Sequence, residues 1–244
     1  MNPAEMTRGY FGYHCLTLVK EMGLSNVEGY FFMADDTVFN IWQRIDYSRV
    51  HHLLGYRNSS GGWWNGGYGI SASKRIVEAI EENKDEKLAK AWKQFEDGMR
   101  KYGFVNENQT AKDEMLAKRG KSISDFFYIP TSESDYYATL MRLFYEQKFF
   151  LELAVNAFLK SVNYQNSLDG PKYYLWGGQR GKWTTYYNKD AIGMHPVKMS
   201  AFRKPGENRK KYCETVLQTW SDIMFGGSRN FTVKGDNDPD NMDR

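Results

Sequence analysis

Two adjacent carboxylates, Asp35 and Asp36, close a short apolar run, Val27-Glu28-Gly29-Tyr30-Phe31-Phe32-Met33-Ala34. A run of this length and aromatic content predicts a buried strand over 27–34 that delivers the acids to the edge of a sheet. The carboxyl end of such a strand is where open α/β sheets bind ligands. Two acids held there stay ionised together only at a cost unless a cation joins them, so the pair is a candidate metal site. The competing reading is local, because Asp after a strand commonly closes a turn or caps the next helix.

Three further groups carry chemistry. The loop Arg57-Asn58-Ser59-Ser60-Gly61-Gly62-Trp63-Trp64-Asn65-Gly66-Gly67-Tyr68-Gly69 is too rich in glycine for helix or strand, and its backbone can come close to a ligand. Trp63 and Trp64 are candidates for stacking on the C–H faces of sugars, while a packed Gly-rich turn is the plainer alternative. The Gly-Lys-Ser/Thr ending of a phosphate loop is missing. Glu152 sits in the nearly unbroken apolar stretch Phe149 to Leu159, where an ionised carboxylate is costly unless it faces a cleft or a partner. His195 lies between Met194 and Pro196 in a segment that cannot be ordinary helix, with Lys198 three residues on.

The elements that must position these residues follow from period and punctuation. Tyr13 to Met22 carries apolar residues at helical spacing, with Gly23 as its C-cap. Helix, turn and strand then follow with no preceding strand, as though an earlier part of the sheet were absent. Val38 to Leu54 is amphipathic and expected to be helical, which would splay His51 and His52 by about 100° and unsuit them for one metal. Ser71 is expected to cap a helix through Ile80. Residues 81–122 read as charged, solvated helices laid over the domain, with loops near Asn106 to Gln109 and Gly120. Asp125 to Pro130 is a second strand, and Thr131 or Ser132 caps a helix whose first turn holds Glu133 and Asp135. Lys172 to Trp176 and Trp183 to Tyr187 are expected to pair as strands across the turn Gly177 to Lys182. A basic helix spans Glu207 to Phe225, and 226–244 reads as a disordered tail.

The totals set outer limits. A length of 244 residues suits one substantial α/β domain. A net charge of +3, from 33 bases against 30 acids, argues against nucleic acid as a partner. Aromatics make up 16% of the chain, more than a core needs, which leaves some for a saccharide-binding face. No run is long enough to span a bilayer, and Met1 to Tyr13 lacks the apolar core of a signal peptide. Sequons at Asn58, Asn108 and Asn230 point, at about chance density, to a glycoprotein of the secretory lumen. Cys15 and Cys213 are either a disulfide or two thiols.

Taken in order, the stretches GYFFMADDTVFNIW, SDFFYIP, FFLELAVNAFL and GMHPVKMS resemble the STELLO-like family of GT-A glycosyltransferases. The resemblance implies an α/β fold, with a GT-A-like (Rossmann-like) mixed sheet flanked by helices and lacking its first strands. It implies one domain over 1–225 with a helical insertion near 81–122, and a place in the Golgi lumen beside the membrane. It implies transfer of a sugar from a nucleotide-sugar donor to a carbohydrate or other hydroxyl acceptor. Asp36 and His195 would then be ligands of Mn²⁺ (or Mg²⁺), with Asp35 binding ribose or standing at the metal, in its second shell. Lys198, Arg180 and Lys182 would hold the donor phosphates, and Trp63, Trp64, Gly66, Gly67 and Tyr68 the acceptor. Glu152 would deprotonate the acceptor hydroxyl, with Glu133 or Asp135 as fallback.

Two departures from the family pattern stand out. The acid motif is Asp-Asp-Thr in place of the spaced Asp-X-Asp, so one direct carboxylate ligand is expected. The strands that hold a donor's base and ribose are missing, which favours a catalytically silent carbohydrate-binding or scaffolding relative as the alternative. A metal hydrolase built on Asp35, Asp36 and His195 ranks last, because no water-activating ligand cluster is evident.

Overall fold

The computed structural model describes residues 9–166, 174–202 and 205–226. The sequon at Asn230, the expected tail beyond Gly226 and the first two residues of the strand expected at Lys172 to Trp176 lie outside these. In chain order the elements are α1 (His14–Glu21), β1 (Gly29–Met33), β2 (Val38–Phe39), β3 (Val50–His52), α2 (Ile70–Glu81), α3 (Glu86–Lys101) and α4 (Ala111–Leu116). Then come β4 (Phe126–Pro130), α5 (Thr131–Glu146), α6 (Leu151–Leu159), β5 (Tyr164–Asn166), α7 (Trp183–Tyr186), β6 (Gly193–Met194), α8 (Glu207–Tyr212) and α9 (Gln218–Phe225). Helices flank a mixed sheet, an α/β arrangement consistent with a GT-A-like fold.

The chain divides into two compact units, one of residues 1–33 and 45–167, the other of 34–44 and 168–244. In the first, the sheet order is β1-β4-β3-β5. β4 is antiparallel to both of its neighbours, and β3 and β5 run parallel. All five residues of β4 are buried, which is why Phe126-Phe127-Tyr128-Ile129 reads as an unbroken apolar run. Gly29 faces Pro130 across β1 and β4, and a Cβ there would collide with the Tyr128 ring. Behind the sheet, α5 and α6 bring Tyr137, Leu140, Phe144, Leu153 and Phe158 into the core. α3 starts at Asp85, whose carboxylate accepts from the N–H groups of Lys87 and Leu88, and α4 starts with a Thr110/Asp113 capping box.

In the second unit, β2 pairs antiparallel with β6, Val38 opposite Met194. Val38, Leu175, Trp183, Met194, Val197 and Val216 form its core. α8 and α9 are joined by a π-helical turn, Cys213–Leu217.

Several expectations are corrected. Val38 to Leu54 holds two short strands instead of a helix. Asp46 makes a turn just before β3, accepting from the Ser48 N–H at 3.0 Å and from Arg49 Nε at 3.0 Å, an Asx-type turn that competes with helix. Trp183 to Tyr187 begins as a short helix instead of a strand, because Trp183 turns into the core. The helix after the double-tryptophan loop is entered through Gly69, and no side chain caps it. Cys15 and Cys213 are both free thiols. Among the described residues no helix is long and apolar enough to cross a membrane.

Candidate functional site

β1 ends at Met33, and Ala34 to Thr37 make a turn closed by the Thr37 N–H bonding to the Ala34 carbonyl at 3.0 Å. The turn reading of the acid pair holds, and the strand before it is corrected from buried to partly exposed, because β1 is the edge of its sheet and leaves Phe31 and Met33 exposed. Asp35 is exposed and Asp36 is buried. The Asp36 carbonyl accepts from the Val197 N–H at 2.6 Å, which ties the turn to the segment after β6. That segment carries a cis peptide between His195 and Pro196.

Here the remote residues meet. Asp36 Oδ1 lies 3.1 Å from His195 Nδ1, and Lys198 Nζ pairs with Asp36 Oδ2. The Thr37 hydroxyl is 3.0 Å from the same His195 nitrogen. Burial alone would push the Asp36 carboxyl up, but hydrogen bonds and charge from His195 and Lys198 together outweigh it and bring the pKa down to about 2. The result is a fixed anion between an imidazole and an ammonium whose side chain is 58% exposed.

The residues present suit a divalent cation. The 3.1 Å between Asp36 Oδ1 and His195 Nδ1 puts a carboxylate and an imidazole side by side, and these two would hold the ion. Among the described residues no group of three or more His, Cys, Asp or Glu side chains that could hold a metal ion converges. Arg180 and Lys182 lie exposed on the 3-10 turn Gly177–Lys182, where Arg180 Nε donates to the Leu175 carbonyl at 3.1 Å. Thr37 escaped sequence reasoning; its signal was a hydroxyl directly after the acids.

The second group of residues belongs to the other unit. Trp63, 45% exposed, stacks on Phe150 with ring centroids 4.4 Å apart. It presents one supported aromatic face, as stacking on a sugar requires. Trp64 is 4% exposed, and its Nε1 donates to the Gly120 carbonyl at 2.9 Å. That ring is an anchor and offers no open face, which corrects its assignment to the platform. Tyr68 is partly buried, edge-on to Tyr10 and Phe11, and its carbonyl accepts from the Phe150 N–H at 3.0 Å. Gly66 and Gly67 have open space where a Cβ would stand, whereas one at Gly69 would collide with the Trp63 and Trp64 backbone. Gly69 is thus the glycine this turn needs, although its neighbours looked more functional.

The loop is tied to 119–122. Gly120 N–H bonds to the Ser59 carbonyl at 3.0 Å, Lys121 N–H to the Arg57 carbonyl at 3.1 Å, and Ser122 N–H to the Glu152 carbonyl at 3.0 Å. Beneath it, Glu114 is paired with Arg119 and, at 2.7 Å, with the buried Lys160. Glu152 opens α6 with its Oε2 buried and unpartnered. Burial first, then the negative charge of Asp125, raises its pKa to about 8. A carboxyl with that pKa is mostly protonated at neutral pH, so only its minority ionised form could take a proton.

Among families of known proteins, the model described as STELLO glycosyltransferases matches residues 1–126. No curated protein and no solved structure matches the chain. The matched span contains Asp36 and the double-tryptophan loop and ends before Glu152, His195 and Lys198; the meeting of His195 and Lys198 with Asp36 rests on geometry. With more than half of its length matched, the chain belongs to the STELLO glycosyltransferase family.

Proposed function

We propose that the chain transfers a sugar from a nucleotide-sugar donor to a hydroxyl acceptor, with Asp36 and His195 holding Mn²⁺ (or Mg²⁺) at the donor diphosphate. The observation that carries this reading is the approach of the Asp36 carboxylate to His195 Nδ1 at 3.1 Å. When bound, the cation would supply Lewis-acid stabilisation of the departing diphosphate. Lys198, exposed along most of its side chain, is free to swing from Asp36 to a phosphate oxygen. The Thr37 hydroxyl, 3.0 Å from the same His195 Nδ1, would have to give way to a cation bound there.

In this reading Trp63 supports the acceptor sugar, and Glu152 takes the proton of the acceptor hydroxyl. Its raised pKa, about 8, makes it a stronger base than an exposed carboxylate. We place the reaction in the Golgi lumen, in keeping with the exposed sequons at Asn58 and Asn108.

One observation favours the second reading, a carbohydrate-binding protein without transfer activity: both Asp36 oxygens already have protein partners. Calorimetry separates the two. Mn²⁺-dependent binding of a nucleoside diphosphate, lost in Asp36→Ala and His195→Ala, supports the enzyme. Glycan binding that survives without any nucleotide binding supports the second reading.

A further inference from the structure

Tyr174, Leu175 and Trp176 run beside β6 through a parallel bridge between Tyr174 and His195 and a hydrogen bond from the Leu175 N–H to the His195 carbonyl at 2.7 Å. Side chains alternate along extended backbone, and here the alternation sorts the chemistry. Leu175 and Met194 point into the core with Val38. Tyr174 and Trp176 share the opposite face, which is also the face of His195 and Thr37. The Tyr174 ring lies 5.4 Å from the His195 ring and 4.4 Å from the Trp176 ring. A row of three rings thus leads outward from the Asp36 cluster.

The row ends in the open, since Trp176 is 54% exposed. Its backbone is nonetheless fixed: the Trp176 N–H donates to Gln179 Oε1 at 2.8 Å, and Arg180 holds the Leu175 carbonyl. A large ring in contact with a second ring, on a pinned backbone and in line with the Asp36, His195 and Lys198 cluster, is a prepared stacking surface.

We propose that Trp176 is the surface on which the nucleobase of a nucleoside diphosphate stacks, an inference that rests on the diphosphate lying at Asp36, His195 and Lys198. Only the ribose and one phosphate separate a base from a terminal phosphate. A diphosphate held at Lys198 therefore leaves the flat base to settle farther along the same row. A saccharide fits this surface less well, because a base meets Trp176 with a full π face. Stacking is tolerant of base identity, so Trp176 supplies affinity while other groups choose the base.

The test is calorimetric titration, with Mn²⁺ present, of uridine diphosphate, guanosine diphosphate and inorganic pyrophosphate into the full chain. The same titrations are run on Trp176→Ala and Trp176→Phe. Loss of one stacked base predicts about 5- to 150-fold weaker binding of both nucleotides to Trp176→Ala. Pyrophosphate affinity should be unchanged, and Trp176→Phe should recover most of the loss. If all probes bind and Trp176→Ala weakens none, or weakens pyrophosphate equally, the stacking role is overturned while the diphosphate site stands. If neither nucleotides nor pyrophosphate bind the unsubstituted chain, the diphosphate site fails and the stacking role with it.

Discussion

Asp36 Oδ1 stands 3.1 Å from His195 Nδ1, and the rest of the second unit is built to keep it there. Val197 N–H holds the Asp36 carbonyl, Val38 pairs with Met194, and Lys198 takes the other carboxylate oxygen. Charge complementarity at the carboxylate is therefore part of the stability of this unit as well as of any ligand site.

Asp36→Asn tests that link. The folded pKa, about 2, lies below the ordinary 3.8, so the ionised carboxylate stabilises the fold. That contribution is fully present above pH 4 or so and is lost as pH falls through the folded value. Its size is at most about 2 kcal/mol, since Lys198 pairs from a largely solvated position. Denaturant melts at pH 7 should show the deficit, and melts near pH 2 should show the two proteins converging. An equal deficit at both pH values would assign the loss to packing instead of charge.

His51 and His52 also lose stability as pH falls, but in a higher window. Both are buried in β3, and burial lowers their pKa values to about 4 and about 3. The neutral rings are compatible with the fold, so stability is complete above the ordinary 6.5 and declines as pH falls toward the folded values. His51 has neither ring nitrogen bonded, whereas His52 Nδ1 accepts from the N–H groups of Leu54 at 3.2 Å and Gly55 at 2.8 Å. His51→Leu should therefore flatten the melting profile between pH 6.5 and 4 with little loss at pH 8. His52→Leu should cost about 2–4 kcal/mol at every pH, because it strands two N–H groups. Chemical denaturation across that range reads both.

These histidines also mark where the sequence stops being legible. β1 and β4 are visible as aromatic runs because each ends in an unmistakable stop, Asp-Asp or Pro. β3 is hidden, because two histidines in succession look polar and only the structure shows both faces of the strand buried. Asp36, His195 and Lys198 could be named from type and spacing, yet their meeting depends on the β2–β6 pairing of two-residue strands that no periodicity announces. Trp64 and Trp176 show the same limit from the other side. An aromatic ring carries no sign of its exposure, so the first was read as platform and the second as an ordinary strand residue.

The paired tryptophans should separate cleanly on substitution. Trp64→Ala removes a buried ring and the hydrogen bond to Gly120, a change expected to cost about 3–5 kcal/mol. Trp63→Ala removes a ring that is 45% exposed and should cost little stability while weakening any saccharide held on its face. Urea melts measure the first effect, and glycan titration by intrinsic fluorescence the second. Unchanged glycan affinity in Trp63→Ala would remove it from the acceptor side.

Glu152→Gln sets stability against activity. The folded pKa, about 8, lies above the ordinary 4.5, so the fold prefers the protonated acid. Its stability is complete below pH 4.5 and is lost as pH rises through 8. The neutral amide should therefore raise the melting temperature most at pH 8 to 9, by the equivalent of a few kcal/mol at most. If Glu152 takes the acceptor proton, the same variant should keep nucleotide binding and lose transfer by at least about 100-fold. A gain in stability together with that loss would identify an acid kept buried for its chemistry. A gain in stability with transfer intact would leave Glu152 as a core residue with an awkward charge and pass the proton to another group.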